Sequence, residues 1–175
     1  MLGDKMNKFK YSNDNKRYYT YNYFLKSRYH KKIAKVSLNA GFTCPNRDGS
    51  KGYGGCIFCS SSGSGDYAGH IQDDLLTQFN DVSSMMSQKW PGCEFIAYFQ
   101  ANTNTYGPLD KIKKAIEPFL DMENVKEIAI ATRPDCLSKD IVEYLASLKK
   151  YKDIYIELGL QTIHDQTGQF INRQH

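Results

Sequence analysis

From Lys32 onward, short apolar runs rich in β-branched and aromatic residues alternate with longer stretches in which apolar residues recur every three or four positions. The short runs predict strands, the longer stretches predict helices, and their alternation predicts βα units on a parallel sheet. The first strand falls at Ile33–Leu38. Residues 39–69 carry Gly41, Gly49, Gly52, Gly54, Gly55, Gly63, Gly65 and Gly69, too many for a helix or strand interior, and predict a long functional loop. A helix follows over 71–89, with Leu75, Leu76, Phe79, Val82, Met85 and Met86 near one face, and Trp90-Pro91-Gly92 stops it. The second strand is Glu94–Phe99, followed by a polar loop over 100–107 and a helix over 108–120, with Pro108 suited to its first turn. Val125–Thr132 is the third strand; Arg133-Pro134-Asp135 leaves it, and Ser138 is positioned to cap a helix over 139–150 with Ile141, Leu145 and Leu148 inward. Residues 154–160 form the fourth strand, and 161–175 open a further connection.

Near-continuous apolar strands such as Ile128-Ala129-Ile130-Ala131 predict a sheet buried on both faces. Four βα units in series predict an α/β fold, a partial TIM-type (β/α) barrel. Residues beyond the strand C-termini would then line one face, and those loops hold Cys44 to Cys59, Gln100 to Asn104, Arg133 to Asp135, and Gln161. The chain stops soon after the fourth strand, which leaves an apolar edge without a neighbour. The expectation is a basic, tyrosine-rich segment over 1–32, followed over 33–175 by the N-terminal part of a longer core.

With 175 residues, 41% of them hydrophobic and 24% charged, the chain can bury one real core. It has no run of about 18 apolar residues and no signal-like N-terminus, so the expectation is a cytosolic protein without a membrane partner. Five cysteines, an odd number, argue against a disulfide framework and for metal ligation or reactivity. Cys93 and Cys136 stand alone at strand edges and read as small core residues. Residues 1–32 hold nine Lys or Arg against Asp4 and Asp14, and the remainder is net negative. Six of the thirteen tyrosines are interleaved with those cations, as in Lys16-Arg17-Tyr18-Tyr19-Thr20-Tyr21. Such a segment suits an RNA partner, through phosphate neutralisation and base stacking; it equally suits an arm whose tyrosines pack on the domain.

Cys44, Cys56 and Cys59 have the spacing C-x11-C-x2-C. Three thiolates can hold three irons of a [4Fe–4S] cluster and leave the fourth iron open, a vacancy that the amino and carboxylate groups of S-adenosylmethionine can fill. A closed Cys3His zinc site with His70 is the alternative, although a lone C-x2-C lacks the paired knuckles of a zinc ribbon. A chain with no metal at all is the third possibility.

Cys44-Pro45, Gly55-Cys56-Ile57-Phe58-Cys59, Ala131-Thr132-Arg133-Pro134-Asp135 and Glu157-Leu158-Gly159-Leu160-Gln161-Thr162 occur in that order on the expected elements. In this combination the chain, over about residues 17–175, resembles the radical SAM proteins related to the catalytic subunit of Elongator. Within that class it resembles the smaller bacterial YhcC/YtqA group. The resemblance implies a [4Fe–4S] cluster on Cys44, Cys56 and Cys59, and S-adenosylmethionine cleaved reductively to a 5′-deoxyadenosyl radical. It also implies that Phe58 lies beside the adenine. Gln100, Asn102 and Thr103 occupy the place where many such proteins carry Gly-Gly-Glu for the methionine amino group. Arg133 and Gln161 match positions that contact cofactor or substrate; read without the resemblance, they are a salt-bridging arginine and a loop amide. The first cysteine spacing departs from C-x3-C-x2-C, as it does in Elongator-like proteins. The substrate implied is a wobble uridine of tRNA, and the electron donor a flavodoxin or ferredoxin. A protein or metabolite substrate, or a zinc-stabilised nucleic-acid binding module, are the other readings.

Overall fold

The computed structural model describes residues 10–12 and 14–175. Strands β1 (Ile33–Leu38), β2 (Glu94–Phe99), β3 (Val125–Thr132) and β4 (Asp153–Leu158) form one sheet in the order β1-β2-β3-β4, every pair parallel. The expected α/β class and strand order of a βα series are therefore present.

Alternation along the strands sends two different sets of side chains to the two faces. One face presents Ala34, Val36 and Leu38 of β1, Phe95, Ala97 and Phe99 of β2, and Ile128 and Ile130 of β3. Helices α2 (Leu75–Lys89), α3 (Leu109–Ile116) and α4 (Lys139–Ser147) cover it with Phe79, Ile112, Ile116, Ile141 and Leu145. Phe79 lies edge-on to Phe95, with centroids 5.6 Å apart, and 5.5 Å from Phe119, which in turn meets Phe99 at 5.8 Å. A register shift at Phe95/Ile96 inserts Lys126 as an extra residue, which is why Val125 shares a face with Ile128, three positions away.

The second face is not the uniformly apolar surface expected of a buried parallel sheet. Ile33, Ile96 and Ala129 form a small apolar patch there, but Lys35, Tyr98, Glu127, Asp153 and Glu157 share the same side of the strands. Helix α1 (Tyr21–Tyr29) closes this face by inserting Leu25 into the patch. Thr20 caps α1 by accepting from the Tyr23 amide, and His30 ends it in the left-handed conformation. No long apolar stripe marks α1 in the sequence, because its inward face is made of Leu25, Phe24 and the polar-tipped ring of Tyr29.

Several element bounds shift for local reasons. Helix α2 begins at Leu75 rather than at 71, because the Asp74 carboxylate accepts from the Leu76 and Thr77 amides and fixes the N-cap there. Pro108 is the residue before α3 rather than in its first turn, and Pro118, lacking an N–H, turns the end of that helix into the 3-10 segment Glu117–Phe119. Residues 148–150 leave α4 likewise as a 3-10 turn. Ser138 stands at the N-cap of α4 without capping it; its hydroxyl donates to Asp140 instead. Strand β4 ends at Leu158, two residues early, and a short helix α5 (Asp165–Phe170) follows. The long loop over 39–69 holds turns and one isolated bridge, Asp48 to Tyr53.

Candidate functional site

The loop after β1 fixes its cysteines on two tight turns. The Cys44 carbonyl accepts from the Arg47 amide at 2.8 Å and the Asp48 amide at 3.2 Å, and the Cys56 carbonyl accepts from the Cys59 amide at 2.9 Å. The residues after α5 then return to brace this loop. The Ile171 carbonyl accepts from the Ile57 amide at 3.1 Å, Asn172 Nδ2 donates to the Gly55 carbonyl at 2.9 Å, and Asn46 Nδ2 donates to the Asn172 carbonyl.

Beyond the C-terminal ends of the strands lies a pocket of about 290 Å³. All nine residues singled out from the sequence line it: Cys44, Cys56 and Cys59, together with Phe58, Gln100, Asn102, Thr103, Arg133 and Gln161. It also takes in Arg47, Ser64, Tyr98, Glu157 and Arg173, which sequence reasoning did not single out. The signal for Glu157 is its place at every second position of β4 with Asp153 and Tyr155, which puts all three on the polar side of the sheet.

Arg133 is the salt-bridging arginine of its plainer reading, and it also lines the pocket. Its side chain is 3% exposed and forms a two-pronged ion pair with Asp135, both contacts at 2.9 Å. Its Nη1 also lies 3.9 Å from Cys44 Sγ and donates to the Arg173 carbonyl at 3.2 Å. Burial alone would raise the Asp135 carboxyl, but hydrogen bonds from Arg133 and from Lys51, the latter at 2.5 Å, hold it well below the usual carboxylate range. Around the second turn, Asn46 Nδ2 lies 3.5 Å and Arg173 Nη1 3.7 Å from Cys56 Sγ. The Cys59 thiol is pushed up, first by burial and then by the neighbouring Cys56.

The other two cysteines lie outside the pocket, and only Cys93 is the core residue that the sequence predicts. Cys93 is buried in the core beneath the helices. Cys136 is half-buried, and burial followed by the charge of Asp135 pushes its thiol up to about 11, so it is not a thiolate at neutral pH.

Three non-glycine residues of the pocket wall, Ser64, Asn102 and Gln161, hold left-handed backbone at φ of 65°, 61° and 75°. Such conformations are disfavoured by about 1–2 kcal/mol outside glycine and cluster at binding sites. Around Asn102, Asn104 Nδ2 ties the Phe99 and Ala131 carbonyls at 3.0 Å each, and the Asn102 amide donates to the Gly63 carbonyl at 2.8 Å. On the floor, Glu157 accepts from Lys35 Nζ at 2.9 Å and from the Tyr98 hydroxyl at 2.7 Å. Burial opposes its ionisation, and those two donors hold it below its ordinary value.

Among the described residues, no three His, Cys, Asp or Glu side chains converge as one metal ion requires. His70, the fourth donor of the zinc alternative, is exposed and outside the pocket, and its carbonyl accepts from Gln78 Nε2. No described helix is long and apolar enough to cross a membrane. Of the N-terminal tyrosines, Tyr21 and Tyr29 donate to the sheet carboxylate Glu127, whereas Tyr11, Tyr18 and Tyr19 are exposed. Lys5, Lys8 and Asp4 of the basic segment lie outside the described residues.

No protein-family model matches the chain. It is 51% identical over 169 residues to the uncharacterized protein YtqA of Bacillus subtilis, which covers 97% of this chain and 52% of that protein. Protein YhcC of Escherichia coli is 36% identical over 158 residues, 86% of this chain and 48% of its own length. An uncharacterized protein of Methanocaldococcus jannaschii is 33% identical over 157 residues, with 89% and 48% covered. The chain thus spans about half the length of the curated relatives it matches, and these similarities support the YhcC/YtqA grouping.

Proposed function

We propose that this chain is the first part of a radical SAM core, binding a [4Fe–4S] cluster through Cys44, Cys56 and Cys59 and S-adenosylmethionine in the pocket beside them. The observation that carries this reading is that four loops, after four successive parallel strands, bring three thiols and the six other residues of the resemblance to one pocket. The donor set suits the group. Cys44, Cys56 and Cys59 all line the pocket, a [4Fe–4S] cluster needs three thiolates for three of its irons, and Asn46, Arg133 and Arg173 turn N–H groups toward two of the sulfurs.

A cluster held there supplies one low-potential electron, which splits the S–C5′ bond of S-adenosylmethionine into methionine and a 5′-deoxyadenosyl radical. The chain's own part is binding and orientation. Phe58, half exposed beside Cys59, offers an aromatic wall for the adenine. The Glu157 carboxylate, pinned by Lys35 and Tyr98, is an acceptor for hydroxyl or ammonium groups of the ligand, and Gln100, Asn102 and Thr103 give polar contacts on the side opposite β4. The α/β sheet, with helices α2 to α4 on its apolar face and polar residues on the other, is proposed as the first half of a TIM-type barrel.

Anaerobic reconstitution tests the reading: about four irons per chain, a brown colour and, after reduction with S-adenosylmethionine present, 5′-deoxyadenosine. A colourless protein with tightly bound zinc would overturn it.

The proposed substrate is RNA, a tRNA wobble uridine, with a flavodoxin or ferredoxin as reductant. Lys16, Tyr18 and Tyr19 are exposed beside α1, while Arg28 and Lys31 are paired to Asp153 and Glu94. Replacing Lys16, Tyr18 and Tyr19 together by Ala should lower tRNA affinity and flatten its dependence on salt. Unchanged affinity and slope would favour a protein or metabolite substrate.

A further inference from the structure

Arg173 is buried, at 6% exposure, on the segment that folds back over the cysteine loop. Its Nη2 donates to the Gly159 carbonyl, its Nη1 lies 3.7 Å from Cys56 Sγ, and its Nε is shielded from solvent without a partner. Its own carbonyl accepts from Arg133 Nη1 at 3.2 Å. A buried guanidinium is expensive unless an anion compensates it. Arg133 has such an anion in Asp135, which Lys51 also engages. Among the described residues, no carboxylate forms a salt bridge with Arg173, and the one group in contact with it that can carry negative charge is the Cys56 sulfur.

Arg133 and Arg173 therefore differ. The charge of Arg133 is largely spent on Asp135, whereas that of Arg173 remains available to whatever the thiolates bind. Resting on the cluster reading above, we infer that Arg173 is a positioning residue which holds Cys56 in place and raises the reduction potential of the cluster. The sign follows from charge: adding one electron makes the cluster one unit more negative, and a fixed cation beside a ligating sulfur favours that state. The electron comes from the external reductant, and no bond to Arg173 forms or breaks.

The test is a redox titration of the reconstituted full chain, followed by its electron paramagnetic resonance signal and accompanied by iron analysis and thermal melting. Arg173→Gln should retain iron yet show about a tenfold lower reduced-to-oxidised ratio at fixed potential, about 59 mV for one electron. Arg173→Lys should remain near the wild-type potential, even if its melting temperature falls through loss of the Gly159 contact. Wild-type potentials in both variants would overturn the inference, as would an equal drop in both, which would trace the effect to the Gly159 contact rather than to charge. If the Gln variant fails to take up iron, the Lys variant decides alone: retained iron at the wild-type potential supports the charge role, and loss of iron overturns it. A wild-type chain that binds no iron would instead overturn the cluster reading itself.

Discussion

The Tyr29 hydroxyl stands between two carboxylates, 2.8 Å from Glu127 Oε1 and 2.6 Å from Asp153 Oδ2. One hydroxyl proton serves one acceptor at a time, so while both acids are ionised one of the two carboxylates faces the tyrosine oxygen without its proton. Burial raises the Glu127 carboxyl, against the hydrogen bonds from Tyr29 and Tyr21 that lower it, and the Asp153 charge adds to the rise. A raised native value stabilises the fold below the unfolded value of about 4.3, and that stabilisation is lost as pH rises through the native value. Glu127→Gln, a mimic of the protonated acid, should therefore match the wild type near pH 4 and exceed it in stability increasingly as pH rises to neutrality. Urea unfolding across that range checks this, and a pH-independent difference would refute it.

Asp135 has the opposite sign. Its depressed native value stabilises the fold above about 3.9, the unfolded value, and the contribution disappears as pH falls toward the native value. Asp135→Asn should destabilise the protein at pH 7 and converge with the wild type in acid. It should also release Arg133, so the same variant should bind S-adenosylmethionine more weakly. Stability curves that stay parallel down to acid pH would show that the pair adds nothing.

Replacing Cys44, Cys56 or Cys59 by Ala should reduce reconstituted iron from about four per chain to near background. Cys93→Ala and Cys136→Ala should leave it unchanged, the former with a loss of about 1 kcal/mol of stability for the vacated core volume. Full iron in the Cys56→Ala protein would remove the basis of the site.

Gly63 has left-handed backbone, φ 63°, and a Cβ there would overlap the Asn102 side chain. Gly63→Ala should thus cost about 1–2 kcal/mol in backbone strain and displace Asn102 from the pocket wall. Calorimetry should show weaker binding of S-adenosylmethionine with the cysteines intact. Wild-type affinity would mean that Asn102 is not a binding residue.

Strand positions and the cysteine constellation were legible because both are local in the sequence. Ile33–Leu38, Glu94–Phe99 and Val125–Thr132 fall at the bounds their apolar content dictates, and the nine pocket residues sit in loops that a parallel βα order must place at one end. What escaped was non-local. Helix α1 shows no stripe because it is held partly by the Tyr21 and Tyr29 hydroxyls, which bond Glu127, a residue 106 and 98 positions away. The role of Arg173 depends on a chain reversal that no spacing near it announces. Ser138 misled because Asp140, two residues on, competes for its hydroxyl.

The brace across the cysteine loop also imposes an order in time. Cys56 and Arg173 are 117 positions apart, so a ribosome adding about 5–20 residues per second makes the brace roughly 6–23 seconds after the thiol it restrains. During that interval the C-x2-C turn has neither its arginine nor the Asn172 and Ile171 contacts, and its sulfurs face oxidants and adventitious metals unshielded. The braced thiol site is therefore a late product of synthesis, completed only once Ile171, Asn172 and Arg173 have been added.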